Sequence, residues 1–133
     1  MSRGLRNCNP GNIRSSRVKY RGEVQPSRDR EFKEFQSMAY GYRAMFVLLD
    51  TYRRRYGLTT IRQMINRYAP PTENFTEGYI RFIVQHTGIG ADEVVDTRNQ
   101  SDMIPIVAAM SEIENGERAI IKDVEAGWTL FKM

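Results

Sequence analysis

Glu114 closes an apolar helical pattern and is followed at once by Asn115-Gly116, so an ionisable carboxyl stands where the pattern calls for a buried side chain. Between Ser101 and Glu114, apolar residues recur at 103, 106, 107, 110 and 113. This aligns Met103, Val107, Met110 and Glu114 along one stripe and turns Glu112 away from it. A carboxylate in the last turn of a helix faces the negative end of the macrodipole, which costs roughly 0.3–1 kcal/mol, and apolar neighbours further disfavour its charged form. Both effects favour a protonated acid near neutral pH, the state a general acid needs. Two plainer readings compete: Glu114 as a solvated terminal residue, or a helix that runs on through Asn115-Gly116 towards Ile120. Cys8 and His86 are each the single example of their type, and nothing in their spacing pairs them as a thiol dyad. One histidine and one cysteine make no typical zinc site without several carboxylates, and no metal or cofactor is expected.

The elements that must position Glu114 are mostly helical. Residues 1–37 are rich in Gly, Pro, Asn, Ser and Arg, and the alternation in Arg17-Val-Lys-Tyr20 and Glu31-Phe-Lys-Glu-Phe35 predicts two short strands around a loop, a small hairpin. From Ser37 the period changes. Met38, Tyr42, Met45, Leu49, Tyr52 and Tyr56 follow helical spacing, with Ser37 as N-cap and Gly57 as the stop, giving a helix of about five turns. Thr60 caps a shorter helix carrying Ile61, Met64, Ile65 and Tyr68, ended by Pro70-Pro71. Asn74 opens a third, with Glu77 completing a capping box and Gly88 at the end, and Asp92 caps a turn before the Glu114 helix. Ile120, Ile121, Val124, Trp128 and Phe131 form a last helical stripe that Gly127 weakens. The methionines at 38, 45, 64 and 110 read as core.

A chain of 133 residues, 41% hydrophobic and 27% charged, is one domain, residues 1–133, able to fold without staples. It has no repeat, no apolar run near the ~20 residues of a membrane span, and an N-terminus without a signal-peptide core. The expectation is a protein made in the cytoplasm, and a lone cysteine fits that compartment. The net charge of +4 favours an anionic partner, whether nucleic acid, an acidic membrane or a wall polymer. Its sources are Arg14 to Arg21, Arg28 to Lys33 and Arg53-Arg54-Arg55, the last of which reads most simply as a solvated helix face.

The segment Arg3-Gly-Leu-Arg-Asn-Cys-Asn-Pro-Gly-Asn-Ile-Arg14 resembles the opening of small phage and prophage proteins often labelled structural protein, which are similar to the lytic protein of enveloped double-stranded RNA bacteriophages. The resemblance continues through Phe32-Lys-Glu-Phe-Gln-Ser37, Gly41-Tyr-Arg-Ala44, Tyr68-Ala-Pro-Pro-Thr-Glu-Asn74, Thr76, Tyr79-Ile80 and Glu114-Asn-Gly116, nearly the whole chain in order. Cys8 departs from it, where such proteins usually carry asparagine. Flagellar and cell-wall glucosaminidases are similar in another way: they place an apolar helix ending in a catalytic Glu ahead of pieces that look like Asn9-Pro-Gly-Asn-Ile-Arg14 and Phe32 to Ser37. Here the matching helix comes near the other end, so the chain looks like a circular permutation, which requires Glu114 to lie close to residues 9–14.

The resemblance implies a mainly α (α+β), lysozyme-like helical domain with a small N-terminal β-hairpin. It implies a peptidoglycan-degrading enzyme cutting the glycan strand, as a muramidase or lytic transglycosylase, with Glu114 as general acid/base. Glu73, the only other acid inside a matching block, is the candidate second carboxylate, or a plain loop acid before Asn74. Asn9, Asn12, Tyr68 and Tyr79 are the candidate sugar contacts, with turn chemistry, a lid on the Pro70-Pro71 turn, and core packing as their plainer roles. Arg14 is suited to a stem or lactyl carboxylate, or to pairing with Glu114. Stem-peptide endopeptidase activity, and a non-catalytic virion-associated wall-binding role, stay open beside the glycan reading. The partner expected is peptidoglycan, met by a monomer at the cell wall as a phage or prophage component, with no specific nucleic acid and no membrane span.

Overall fold

The Ser37 hydroxyl accepts the Tyr40 N–H, and Gly57, at φ 66, turns the chain out of the helix between them, so the longest element is bounded by the two residues that local rules select. The computed structural model describes all 133 residues. They form six helices: α1 Arg3–Arg6, α2 Met38–Tyr56, α3 Ile61–Tyr68, α4 Thr76–Thr87, α5 Gln100–Asn115 and α6 Ile121–Lys132. The class is mainly α, and no helix is long and apolar enough to cross a membrane. The core gathers Tyr42, Met45, Phe46 and Leu49 of α2, Met64 and Ile65 of α3, Ile80 and Ile83 of α4, and Met103, Val107 and Met110 of α5. Met38 is partly buried at its margin.

Three anticipated details differ. The 17–20 and 31–35 segments pair in no ladder; two isolated antiparallel bridges, Arg14 with Phe32 and Glu23 with Phe35, stand where a hairpin was expected. The alternation there has another cause. Lys33 is 1% exposed and its ammonium donates to Glu23, 3.0 Å away, and to the Val18 carbonyl at 2.7 Å. Glu34 is also buried and accepts from Arg28. The polar positions are internal cross-links rather than a solvated strand face. Asn74 caps nothing: its amide donates back to Pro70 O, α4 starts two residues later, and Glu77 pairs with Arg62. Asp92 likewise pairs with Arg62, while the cap of α5 is Asn99, which accepts from Ser101 N and Asp102 N.

Gly127 is not a weak point of α6. A Cβ there would lie 2.5 Å from Tyr42 Cβ, 2.9 Å from Arg43 N and 3.0 Å from the Ala39 carbonyl oxygen, so its absence lets α6 approach the backbone of α2. Trp128 then meets Phe46 edge-on at 5.0 Å, with Phe131 behind it. Across α2, the Tyr42 hydroxyl reaches Ser111 of α5 at 2.8 Å, and buried Asp50 binds Thr97 and Arg98 to fix the approach to α5.

An uncrowded glycine in a helix interior gains about 0.5–1 kcal/mol when replaced by alanine. Gly127→Ala is expected to do the opposite and lose about 1–3 kcal/mol through overpacking. Urea denaturation reads the sign directly; a midpoint raised by the substitution is incompatible with this helix contact.

Candidate functional site

The last turn of α5 meets the N-terminal segment. Gly116, at φ 73, stops the helix immediately after Asn115, leaving Glu114 and Asn115 at its end. Asn115 Nδ2 donates to Pro10 O at 2.8 Å, and its Oδ1 accepts the Ser2 hydroxyl at 2.7 Å. Asn12 reaches the same turn. It stands at φ 48, in the left-handed region that asparagine tolerates better than most residues, and its Nδ2 donates to Glu114 Oε1 at 3.0 Å. The other carboxyl oxygen accepts the Tyr79 hydroxyl of α4, also at 3.0 Å.

Burial is the largest influence on the Glu114 carboxyl and pushes its pKa above the ordinary value of 4.5. The donors Asn12 and Tyr79, and then the charge of Arg14, oppose the rise without reversing it. Tyr79 and Tyr68 are themselves held well above the ordinary tyrosine value, first by burial and next by the Glu114 charge, so both stay neutral donors. Asn12 Oδ1 is buried without a partner. Turning the amide nitrogen to Glu114 strands that oxygen, at a cost of about 1–3 kcal/mol.

Glu114 lies between two hollows. One, of about 290 Å³, runs between the 11–14 turn and the end of α3, lined by Asn12, Arg14, Phe32, Tyr52, Tyr68 and Glu73 among others. The second, of about 450 Å³, lies over α4 and is lined by Phe75, Gly78, Tyr79, Phe82 and Ile113. Asn74 and Glu114 border both, so the two make one groove with the acid near its middle.

The sequence-derived candidates divide in this setting. Asn12, Arg14, Tyr68, Glu73 and Glu114 share the first hollow. Asn9 does not: it is fully buried, donates to Ile13 O and Lys33 O, and accepts Ile13 N, so it builds the turn and offers nothing to a ligand. Tyr79 is 7% exposed, and its hydroxyl orients the acid rather than a sugar ring. Tyr68 gives its hydroxyl to Gly11 O. Arg14 is 62% exposed over the Phe32 ring, and its nearest carboxylate is Glu31, not Glu114. Glu73 is exposed at the other lip. The thiol alternative finds no support: burial raises the Cys8 pKa, and His86 stacks on Phe82 and bonds its carbonyl. Sequence reasoning passed over Phe75, 72% exposed beside the groove; its signal was a large apolar residue in a polar loop.

Two outcomes are expected. Tyr79→Phe removes a donor that favours the carboxylate, so the Glu114 titration followed by carboxyl ¹³C NMR moves further up; a downward move contradicts the assigned bond. Second, the folded protein holds the Glu114 proton more tightly than the unfolded chain, so this group's contribution is intact below about 4.5 and is lost as pH rises through the raised value. Glu114→Gln cannot ionise, so its melting temperature should gain on the wild type as pH rises above about 4.5, where the penalty develops. A constant difference would mean that the carboxyl is not desolvated.

No family model matches the chain. Over 125 residues it is 37% identical to Protein P5 of Pseudoalteromonas phage PM2, an alignment that covers 92% of this chain and 76% of that protein. The match takes in nearly all of the chain, and the protein therefore belongs to the family of phage Protein P5.

Proposed function

We propose that the protein cleaves the glycan strand of peptidoglycan, with Glu114 as the single general acid and base, in the manner of a lysozyme-like muramidase or lytic transglycosylase. The observation that carries this reading is the position of Glu114: a carboxyl with a raised pKa, held by two neutral donors, near the middle of a groove open on both sides. A groove of that form suits a polymer threaded past the acid, and the apolar wall at Phe75 and Phe82 suits the faces of sugar rings. A permuted lysozyme-like order needs these two chain regions to adjoin, and the Asn12–Glu114 contact supports that reading.

Protonated Glu114 gives its proton to the glycosidic oxygen as the bond to the anomeric carbon breaks and positive charge develops on the ring. The resulting carboxylate then takes a proton either from water, yielding a reducing end, or from a hydroxyl of the same sugar that closes on the anomeric carbon, yielding an anhydro product. The arrangement supports the second route more than the first. Only one carboxyl in the groove is desolvated, whereas Glu73 is exposed and its carboxylate has no hydrogen-bond partner to fix it. Tyr79 and Asn12 stabilise the carboxylate after transfer, which keeps the raised pKa from becoming a trap for the proton.

Mass spectrometry of purified peptidoglycan incubated with the wild type and with Glu114→Gln tests this. Anhydro-sugar or reducing-end products are expected with the wild type only, with activity lowered at least about 100-fold by the substitution. Cleaved stems would instead make the protein an endopeptidase, and intact sacculi from both would make it a non-catalytic wall-binding component.

A further inference from the structure

The groove continues past the first hollow. Leu48 and Tyr52 also border a third, of about 530 Å³, between the 18–21 segment, α2 and the end of α3. Its walls carry Lys19, Arg21, Arg43, Arg54, Arg55 and Arg67 and no acidic residue. Six cations in one cleft exceed the net charge of the whole chain, +4. Only Arg54 has an ion-pair partner, the buried Asp50. Arg43 Nε is buried with no hydrogen-bond partner, and burial followed by the charge of Arg21 pushes that guanidinium below its ordinary value. Arg67 lies 3.8 Å over the Tyr56 ring. Like charges gathered this closely repel one another unless a counter-charge joins them, and guanidinium groups meet carboxylates with paired N–H donors.

We propose that this cleft binds the carboxylates of stem peptides borne by the same wall strand whose glycosidic bond lies at Glu114, an inference that rests on the glycan-cleaving reading above. Continuity carries it: the basic hollow, the acid and the aromatic wall at Phe75 and Phe82 form one track, cationic at one end and apolar at the other. A strand laid along it sets sugar faces against the apolar end and its anionic side groups among the arginines. Single-stranded nucleic acid fits less well, because such grooves offer successive aromatic faces for stacking. Here Tyr56 is the one aromatic residue of the cleft with a large exposure, 48%, and Arg67 covers one of its faces.

The test measures binding in the Glu114→Gln background, so that nothing is cut. Stem-bearing sacculi are compared with glycan strands stripped of their stems by an amidase. Arg21→Gln/Arg55→Gln/Arg67→Gln is set against Arg53→Gln/Arg81→Gln/Arg118→Gln, which removes three exposed charges outside the cleft. Arg21, Arg55 and Arg67 are exposed and unpaired, and unchanged melting temperatures confirm that neither triple disturbs the fold. The parent is expected to bind stem-bearing material about tenfold more tightly, a preference the cleft triple loses and the control triple keeps. Equal binding of both materials by the parent, or loss of the preference in both triples, overturns the inference and leaves the glycan reading standing. Failure to bind either material overturns both. Tight binding of a single-stranded oligonucleotide, abolished by the cleft triple, with no preference between wall materials, assigns the cleft to nucleic acid instead.

Discussion

The groove exists because the end of one helix is completed by residues about a hundred positions away in the chain. A helix terminus leaves its last carbonyls without partners, and the side chains there need somewhere to go. In α5 that need is met by the N-terminal segment: Ser2 and Pro10 engage Asn115, and Asn12 engages Glu114. Each bond is worth about 1 kcal/mol by itself, yet together they set where the 9–14 turn lies. That turn carries one wall of the groove. Asn9 holds it from the other side, joining Ile13 to Lys33 in a site closed to water. A segment with no regular strand pairing is thus fixed by buried polar groups, each of which is costly to leave unpaired.

The same join sets the chemistry of the acid. Lone burial would leave Glu114 protonated and inert; lone hydrogen bonding would leave it ionised and unable to donate. Asn12 and Tyr79 give the carboxylate two neutral donors while the surrounding core withholds solvent, and the balance still falls on the side of a raised pKa. Neutral partners matter here. A paired arginine would hold the acid ionised, and the nearest one, Arg14, instead lies out over Phe32 and makes the smallest contribution.

Local signals were legible where a residue acts within its own turn. Ser37 and Thr60 cap helices, and Gly57, Gly88 and Gly116 leave them at positive φ, because those roles depend on neighbours only a few residues away. Glu114 was legible for the same reason, as a break in a local pattern. Signals failed where a distant partner competed for the same group. Asn74 and Glu77 spell a capping box, but Pro70 O and Arg62 take their side chains. The segment Glu31 to Phe35 spells a short strand of a hairpin, but Lys33 and Glu34 are both buried with ionic partners. Asn9 and Asn12 looked equivalent in sequence, and only the three-dimensional structure separates the anchor of the turn from the residue that faces the groove.

The least relaxed part of the molecule is also the part that touches the acid. Cys8 and Asn12 are the only non-glycine residues at positive φ, and both lie in the turn against α5. At position 8 asparagine would suit that backbone better than cysteine does; the thiol stays half-buried against the core. Gly41 permits the turn to come so near, since a Cβ there would strike Cys8 O. Asn12 adds a stranded buried oxygen to its backbone strain. Neither burden improves the fold, for a glycine at 12 would relieve both. What a glycine cannot do is donate to Glu114. A left-handed backbone and an unpaired oxygen thus accompany the one side chain of the turn that donates to the Glu114 carboxyl.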